Sequence, residues 1–451
     1  MRGMSGVVRK PGLALAGLLV FLVLVGVPVA SFAQDAAAAP APTINSGDTA
    51  WMLISTALVL LMTPALAFFY GGLARGKNAL NTMMTSFISL GFVGVAWFVV
   101  GYSLALSPGS DYLGGFSLAF LKTVGLEPTG AAVAITFPHI LYMCFQATFC
   151  IITAALISGA IIERMRFPAY VVFITLWSVV VYSPVAHWVW GGGWLGKMGA
   201  LDFAGGTVVH INAGVAALVA AITLGPRRDF KKAAMIPHNV PFVLLGAGLL
   251  WFGWFGFNSG SAIAANGVAG LAFATTMIAP AGTLVIWTLL DWMRQGKATA
   301  VGAATAIVVG LVAVTPAAGF ISPINALILG AIAAVPSYFG LVIRAKTSLD
   351  DSLDVVAAHG VGGTVGALLT GILAQKSFNG LADGLLYGNP GQFTTQIIAV
   401  GATIVYSGIV TFILLKVVGL VFPLGATAEE ETEGLDQSMH GEEAYVHASG
   451  Q

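Results

Sequence analysis

Long apolar stretches constrain this chain more than any other feature of its sequence. Residues 51–69 and 88–106 are two examples, and a run of roughly 20 apolar residues is long enough for one helix to cross a bilayer. Of the 451 residues, 57% are hydrophobic and 8% are charged, whereas about a quarter of the residues of a soluble protein are charged. The sequence therefore predicts an all-α polytopic membrane protein surrounded by membrane lipid.

The composition also argues against several other classes of protein. The 19 lysines and arginines balance the 19 aspartates and glutamates, so no basic surface is available to release counterions from a nucleic acid. Cys144 and Cys150 lie in one apolar segment, at a spacing that fits neither a metal site nor a redox motif. We expect no enzyme activity, no metal and no cofactor.

The first 33 residues are typical of a signal peptide. Arg2, Arg9 and Lys10 precede an apolar stretch over 13–29, and the small residues around Ala33 suit a cleavage site. A retained first helix is the alternative. With cleavage, residues 34–47 form a periplasmic linker, and the mature amino terminus lies outside a bacterial inner membrane.

Hydropathy divides the rest of the chain into eleven predicted spans. Their ranges are 50–70, 80–106, 136–162, 167–186, 205–224, 240–258, 267–291, 299–319, 322–343, 356–374 and 394–422.

Lysines and arginines mark the cytoplasmic connections of membrane proteins, and here they alternate along the chain. Connections after odd-numbered spans contain Arg75, Lys77, Arg164, Arg166, Arg227, Arg228, Lys231, Lys232, Arg294, Lys297, Arg344 and Lys346. Connections after even-numbered spans contain only Lys122, Lys197 and Lys376. This alternation predicts an external amino terminus, a transmembrane domain over 48–424 and an acidic cytoplasmic tail over 425–451.

Two histidines lie at equivalent positions of predicted spans five and ten. His210 is followed by Gly214 in span five, and His359 is followed by Gly363 in span ten. Blocks of five spans insert with opposite orientations, so spans 1–5 and 6–10 are predicted to form an inverted repeat with a site near the midplane. Either histidine alone would also fit a satisfied core residue. Their equivalent positions favour a shared pore site, where low dielectric keeps both imidazoles neutral and able to exchange a proton.

Aromatic residues cluster before and after span five. Many of these rings would also fit an ordinary interfacial belt, but aromatic faces and a hydroxyl can also replace the water around a small cation. The residues concerned are Phe145, Phe149, Trp188, Trp190, Trp194, Trp251, Trp254, Phe257 and Ser261. Asp202 precedes His210 by eight residues. It would either bind a cation directly or hold backbone amides at the start of span five, and helix-capping preferences favour the second role.

Five stretches together resemble the ammonium transporter family (Amt/Mep/Rh), and specifically its bacterial Amt branch. They are "FYGGLARGKN", "DFAGGTVVHINAG", "GWFGFNSGS", "AHGVGG" and "EGLDQSMHGEEAY". The resemblance extends from about Asp48 to Tyr445. It implies a homotrimer with one pore through each subunit and, through the tail, a cytoplasmic PII signal protein as partner.

The resemblance also implies roles for individual residues. Trp190, Phe149 and Ser261 match an external site that recruits ammonium, and Phe149 and Phe257 match a paired phenyl gate. His210 and His359 match the twin histidines of the pore, and Asp202 matches a structural aspartate at its vestibule. Gln146 and Trp254 fall on motif positions that line the pore. The expected function is ammonium transport with deprotonation. The alternatives are a passive ammonia channel and an ammonium receptor that signals through its tail.

Overall fold

The computed structural model describes residues 43–445. The predicted signal peptide (1–33) and residues 34–42 of the predicted linker lie outside the described residues, as do the last six residues of the tail. Within 43–445 the chain is helical, and its only β pairings are two isolated bridges, Gly109 with Gly114 and Met165 with Gly425.

Ten helical segments of the described chain are long and apolar enough to cross a membrane. An eleventh apolar helix is shorter, so the predicted all-helical membrane fold is confirmed. In chain order they are α1 (Ser46–Leu73), α2 (Gly76–Leu106), α3 (His139–Ala160), α4 (Phe167–Lys197), α5 (Gly206–Leu224), α6 (Val240–Ser259), α7 (Gly267–Gln295), α8 (Ala300–Val314), α9 (Pro323–Lys346), α10 (Val356–Leu373) and α11 (Pro390–Val421). Two short helices follow in the tail, α12 (Ala428–Glu433) and α13 (Leu435–His440).

Several predicted boundaries differ from those of the structure by a few residues, among them the start of span one and the ends of spans eight and four. Helix α1 begins at Ser46, inside the predicted linker, because the Asn45 side chain accepts hydrogen bonds from two amides of its first turn. Helix α8 ends at Val314 rather than near residue 319, because Pro316 has no N–H to continue the helical hydrogen bonds. Span four continues past residue 186 to Val189, followed by a turn and a short helix at Trp194–Lys197.

Helices α5 and α10 cross at glycines in a reciprocal way. A Cβ atom at Gly214 would lie 3.1 Å from the backbone carbonyl carbon of His359, and one at Gly363 would lie 2.9 Å from Cβ of His210. The glycine four residues after each histidine therefore lets the backbone of the other helix approach closely. This packing is what the inverted repeat predicts for its two equivalent helices.

Both helices begin with a π-helical turn, Gly206–Ile211 in α5 and Val356–Val361 in α10. A third such turn, Phe255–Ser259, ends α6. These turns contain His210, His359 and Phe257. Single π turns within α-helices are frequent at functional sites, but two further π-helical turns of the described chain, Trp97–Gly101 in α2 and Ser178–Tyr182 in α4, contain none of the predicted site residues.

Buried ion pairs join several of the basic connections on one face of the protein. Glu163 pairs with Arg75 at 2.5 Å and with Arg227 at 3.2 Å, and Arg227 also pairs with Asp350 at 2.7 Å. Burial opposes the charged form of Glu163 and Asp350, but the neighbouring guanidinium groups outweigh it and lower the pKa of both carboxyl groups. We call this side of the protein the basic face.

The tail packs on the basic face. Lys77 donates to the backbone carbonyls of Glu431 and Thr432, at 2.6 and 2.8 Å, and Arg166 pairs with Glu430 at 2.8 Å. The Asp436 carboxylate accepts hydrogen bonds from two backbone amides at the start of α2. Arg228, in the connection after span five, donates its amide to Glu431 and its guanidinium to the Thr432 hydroxyl. The tail therefore contacts the connections after spans one, three and five. Among its described contacts, none reaches the connection after span seven.

Candidate functional site

The two pore histidines predicted from the sequence lie side by side. Their Nδ1 atoms are 3.2 Å apart, and the rings stack at a centroid distance of 5.3 Å. His210 is 1% exposed and His359 is 4% exposed. Because a hydrogen bond between two imidazoles needs one donor and one acceptor, one Nδ1 carries a proton and the other does not. Within the described residues, Nε2 of His210 is buried without a hydrogen-bond partner.

Both imidazoles line a narrow cavity of about 20 Å³. A space of that size holds about one water-sized molecule. Trp254 also lines it and stacks 5.5 Å from His210, but its indole N–H is used by Thr315 Oγ1 at 2.9 Å. The other lining residues are Met62, Leu66, Phe69, Ile152, Leu156, Val209, Leu250, Phe257 and Val308. Among the described residues that line this cavity, the histidines are therefore the only titratable groups.

A stacked pair of phenyl rings lies at the narrow cavity, and one of the two rings, Phe257, lines it. Phe149 and Phe257 stack at 4.1 Å with an angle of 28° between their planes, and each is 1% exposed. Phe257 also lies 6.1 Å from His210. A hydrated ion does not fit between rings at this separation.

The remaining aromatic residue predicted for the outer site lies beyond these rings. Trp190 contacts Phe149 edge-on at 6.1 Å, and its indole donates to the backbone carbonyl of Asp202 at 2.9 Å. Ser261 is half-buried and donates to the Phe257 carbonyl at 2.8 Å, so its hydroxyl oxygen still has lone pairs that can accept a hydrogen bond. Gln146 is buried one turn before Phe149 on α3, but it does not line the narrow cavity.

Asp202 caps α5. Its carboxylate accepts hydrogen bonds from the amides of Gly205, Gly206 and Thr207 at 2.8, 2.6 and 2.8 Å, and also from the Thr207 hydroxyl. Burial raises the pKa of Asp202, and these hydrogen bonds oppose the rise. The carboxylate thus holds the start of the helix that carries His210.

Asp351 makes the equivalent cap in the second repeat, and the sequence analysis missed it. It accepts from the amides of Val355 and Val356, at 3.1 and 2.8 Å, where α10 begins. Burial and the nearby charge of Asp354 raise the pKa of Asp351. Asp351 precedes His359 by eight residues, just as Asp202 precedes His210. That repeated spacing is the signal that could have identified it.

A wider cavity of about 600 Å³ opens on the other side of His359, at the basic face. Phe69, Val308 and His359 line both cavities, so the narrow one meets the wide one at the second histidine. The charged residues lining the wide cavity are Arg75, Arg227, Asp229, Lys231, Asp291, Arg344 and Asp354. The arrangement runs from half-buried aromatic residues, through a closed apolar constriction with two imidazoles, to a charged vestibule.

Known proteins are similar to this chain in sequence and in fold. Residues 50–445 match the model of the Ammonium Transporter Family. The chain is 50% identical over 404 residues to an ammonium transporter of Bacillus subtilis (strain 168), covering 89% of this chain and 99% of that one. It is 49% identical over 423 residues to an ammonium transporter of Aquifex aeolicus (strain VF5), covering 93% and 98%. The crystal structure of Saccharomyces cerevisiae Mep2 superposes with a TM-score of 0.80 at 34% identity, covering 86% of this chain and 89% of that one.

Proposed function

Because this chain belongs to the ammonium transporter family, we propose that it recruits ammonium at Trp190, Phe149 and Ser261, and that the ion gives up one proton to water of the outer vestibule before the phenyl rings. Ammonia and the proton then cross separately along His210 and His359. The protein is a transport protein rather than an enzyme, as its named relatives are.

The observation that carries this proposal is the hydrogen-bonded histidine pair in a cavity of about 20 Å³. Ammonia is about the size of water and fits this space, whereas an ammonium ion with its hydration shell does not. A bare charge at membrane depth costs about 2.5–3.5 kcal/mol or more. The imidazoles give the proton a path of its own, because one ring can accept it on one nitrogen and pass it across the shared hydrogen bond.

The outer residues suit recruitment of a small cation with N–H groups. A desolvated cation gains about 2 kcal/mol or more from an aromatic face, and Trp190 and Phe149 offer two rings. The Ser261 oxygen can accept an ammonium N–H. Asp202 acts here by holding the helix rather than by binding the ion, since its carboxylate oxygens are already bonded to amides.

Selectivity tests this function. In liposomes containing the purified protein, we expect saturable uptake of ammonium and weaker uptake of methylammonium, and no uptake of potassium. Potassium has no N–H to donate to Ser261 and no proton to give up, so it keeps its charge at the constriction. Potassium uptake at a rate comparable with that of ammonium would contradict the proposal.

Phe257→Ala should impair ammonium conduction rather than increase it. The ring stacks on Phe149 and contacts His210, and its removal lets water reach the imidazoles or lets the constriction collapse. The loss of a buried phenyl also costs about 3–5 kcal/mol of stability. Ammonium uptake and potassium exclusion are measured together. Unchanged values of both would show that the Phe257 ring does not act as a gate.

We place the protein in a bacterial inner membrane as a homotrimer, with the amino terminus periplasmic and the basic face cytoplasmic. The orientation is supported by the concentration of arginine and lysine on one face, since positive residues favour the cytoplasmic side. Arg75, Arg166 and Arg227 all lie there with the tail. We further propose that the docked tail forms part of the surface that a PII signal protein binds.

Truncation after Gly425 should lower transport without lowering the amount of protein in the membrane. It removes α12 and α13 and leaves Lys77 and Arg166 without their tail partners. A chain that ends after Tyr445 keeps the described tail contacts and is the matched control. Ammonium uptake is compared per molecule of membrane protein. Equal uptake by the two chains, with equal PII binding, would show that the tail is a passive end.

A further inference from the structure

The carboxylate of Asp48 joins three elements at the amino-terminal end of α1, away from the basic face. Asp48 lies in the first turn of α1 and is half-buried. Its Oδ1 accepts a hydrogen bond from the amide of Ala265 at 2.7 Å, and its Oδ2 accepts one from the hydroxyl of Thr136. Ala265 lies between α6 and α7, and Thr136 comes just before α3. One side chain thus connects α1 to the segments that lead into α3 and α7.

The loop that Asp48 contacts also carries Ser261. Residues 260–266 join α6 to α7, and we call them the Ser261 loop. The amide and the hydroxyl of Ser261 donate to carbonyl oxygens of α6, and the Asn266 side chain caps α7. Among the hydrogen bonds in the described part of the chain, the bond from Ala265 to Asp48 is the only one that joins this loop to any other element.

The backbone of the Ser261 loop is strained next to this bond. Ile263 has a φ of 57°, and this left-handed conformation is unfavourable for a β-branched residue, because its side chain crowds the backbone. Such a conformation persists only where the surrounding contacts hold it. On one side, the Ile263 amide donates to the Gly260 carbonyl at 2.9 Å. On the other side, Asp48 holds the amide of Ala265. Without Asp48, the loop is free to relax from Ile263 onward.

The other oxygen of Asp48 holds the segment before α3, the helix that carries Phe149. The Thr136 hydroxyl donates to Asp48, and the Asn45 amide donates to the Thr136 carbonyl at 2.6 Å. Hydrogen bonds to a carboxylate are roughly twice as strong as those between neutral groups. Asp48 therefore holds the Ser261 loop and the start of the helix with Phe149 at one point of α1.

We propose that Asp48 positions the Ser261 hydroxyl relative to the Phe149 ring and thereby sets the affinity of the outer site for a small cation with N–H groups. A hydrogen bond weakens steeply when its geometry is lost, so a displaced hydroxyl accepts an ammonium N–H less well. The role in affinity rests on the proposed function of Ser261, whereas the bond that holds the loop does not. Asp48 is a positioning residue, because its carboxylate is bonded to Ala265 and Thr136 and acts on the cation through Ser261.

The charge of Asp48 is the competing explanation for an effect on affinity. None of the ion pairs described within residues 43–445 includes Asp48, so its carboxylate could also attract a cation without positioning anything. Two substitutions separate position from charge. Asp48→Asn loses the charge but keeps an oxygen atom where the Ala265 amide donates. Asp48→Glu keeps the charge but moves the oxygen atoms by the length of one methylene group.

Ammonium uptake by proteoliposomes tests the positioning role. The apparent KM of Asp48→Glu and of Asp48→Ala should rise about tenfold, which corresponds to about 1.4 kcal/mol, with the maximal rate changed less than about twofold, since the histidine pair is untouched. The KM of Asp48→Asn should stay close to the wild-type value. Asp383→Ala is the matched control. Asp383 is half-buried and accepts the Lys376 amide at 2.8 Å in the connection between α10 and α11, so its replacement should leave KM unchanged.

Hydrogen exchange tests the bond itself without reference to transport. It is measured by mass spectrometry on a peptide that covers the Ser261 loop. The Ala265 amide should exchange slowly in the wild type and in Asp48→Asn, and fast in Asp48→Ala. If Asp48→Ala does not fold, Asp48→Glu provides the same comparison. Equal exchange of the loop in the wild type and in the folded variants would show that Asp48 does not hold it.

The KM values decide between position and charge. An equal rise in KM for Asp48→Asn and Asp48→Glu would assign the effect to charge and overturn the positioning role. Wild-type KM values in both Asp48→Glu and Asp48→Ala would overturn it as well. If the wild-type protein carries no ammonium, the proposed function fails, while the exchange measurement still decides whether Asp48 holds the loop.

Discussion

Replacing either His210 or His359 by alanine abolishes saturable, charge-carrying ammonium transport. The two Nδ1 atoms share one hydrogen bond, 3.2 Å long, in a cavity that no other titratable side chain of residues 43–445 lines. Without one imidazole the proton has no acceptor beyond the phenyl rings, and the intact cation would have to enter an apolar space at a cost on the order of 3 kcal/mol. We expect a loss of at least about a hundredfold, since each 1.4 kcal/mol is a factor of ten.

The comparison with the double variant makes this prediction specific. If the two rings act as one relay, His210→Ala combined with His359→Ala should lose no more current than either single variant, since groups that act as a unit are not additive. His139→Gln, which alters a buried histidine outside the pore, is the control. Wild-type currents in both single variants would show that the histidines only fill space.

Asp202→Ala should lower both the amount of folded protein and the rate of ammonium transport. The carboxylate accepts from the amides of Gly205, Gly206 and Thr207, which have no other described partner at the start of α5. Each buried amide left without an acceptor costs about 1–3 kcal/mol, and the sum approaches the 5–15 kcal/mol that is typical of a whole protein. The geometry of the outer site should change as well, because the Trp190 indole donates a hydrogen bond to the backbone carbonyl of Asp202.

The second repeat supplies the matched control for Asp202. Asp351→Ala removes an equivalent cap that serves two amides, so it should lower stability by a smaller amount. Asp202→Asn keeps one acceptor oxygen and should fall between Asp202→Ala and the wild type. The thermal unfolding midpoint and the amount of protein extracted from membranes are measured together with ammonium uptake. Wild-type values of all three in Asp202→Ala would show that the cap is dispensable.

The sequence predicted the helices because a membrane segment must be long and apolar, and this requirement leaves an unmistakable pattern. It was less accurate where a helix ends for a local reason. Hydropathy does not detect the missing N–H of Pro316 after α8, nor the turn at Trp190 that separates Val189 from the last helix of α4. The apolar pattern stays the same across both boundaries.

The candidate site was predictable where its residues occur in equivalent repeat positions. His210 and His359 are an example, and Asp202 with Asp351 is a second pair that the same comparison of the two repeats would have found. The π-helical turns were not predictable, because one extra residue per turn leaves the composition unchanged. The wide vestibule depends on charges brought together from several connections, such as Arg227 and Asp354, and no local motif encodes their proximity.

The central claim is that ammonium gives up a proton and that the proton crosses the membrane along the histidine pair. It is tested most directly by recording current across a supported membrane of proteoliposomes during a rapid rise in ammonium, together with the internal pH of the same vesicles. The proposal predicts an inward positive current that saturates with ammonium and disappears in His210→Ala. A rise in internal pH without any current would mean that neutral ammonia crosses alone, and it would contradict the account.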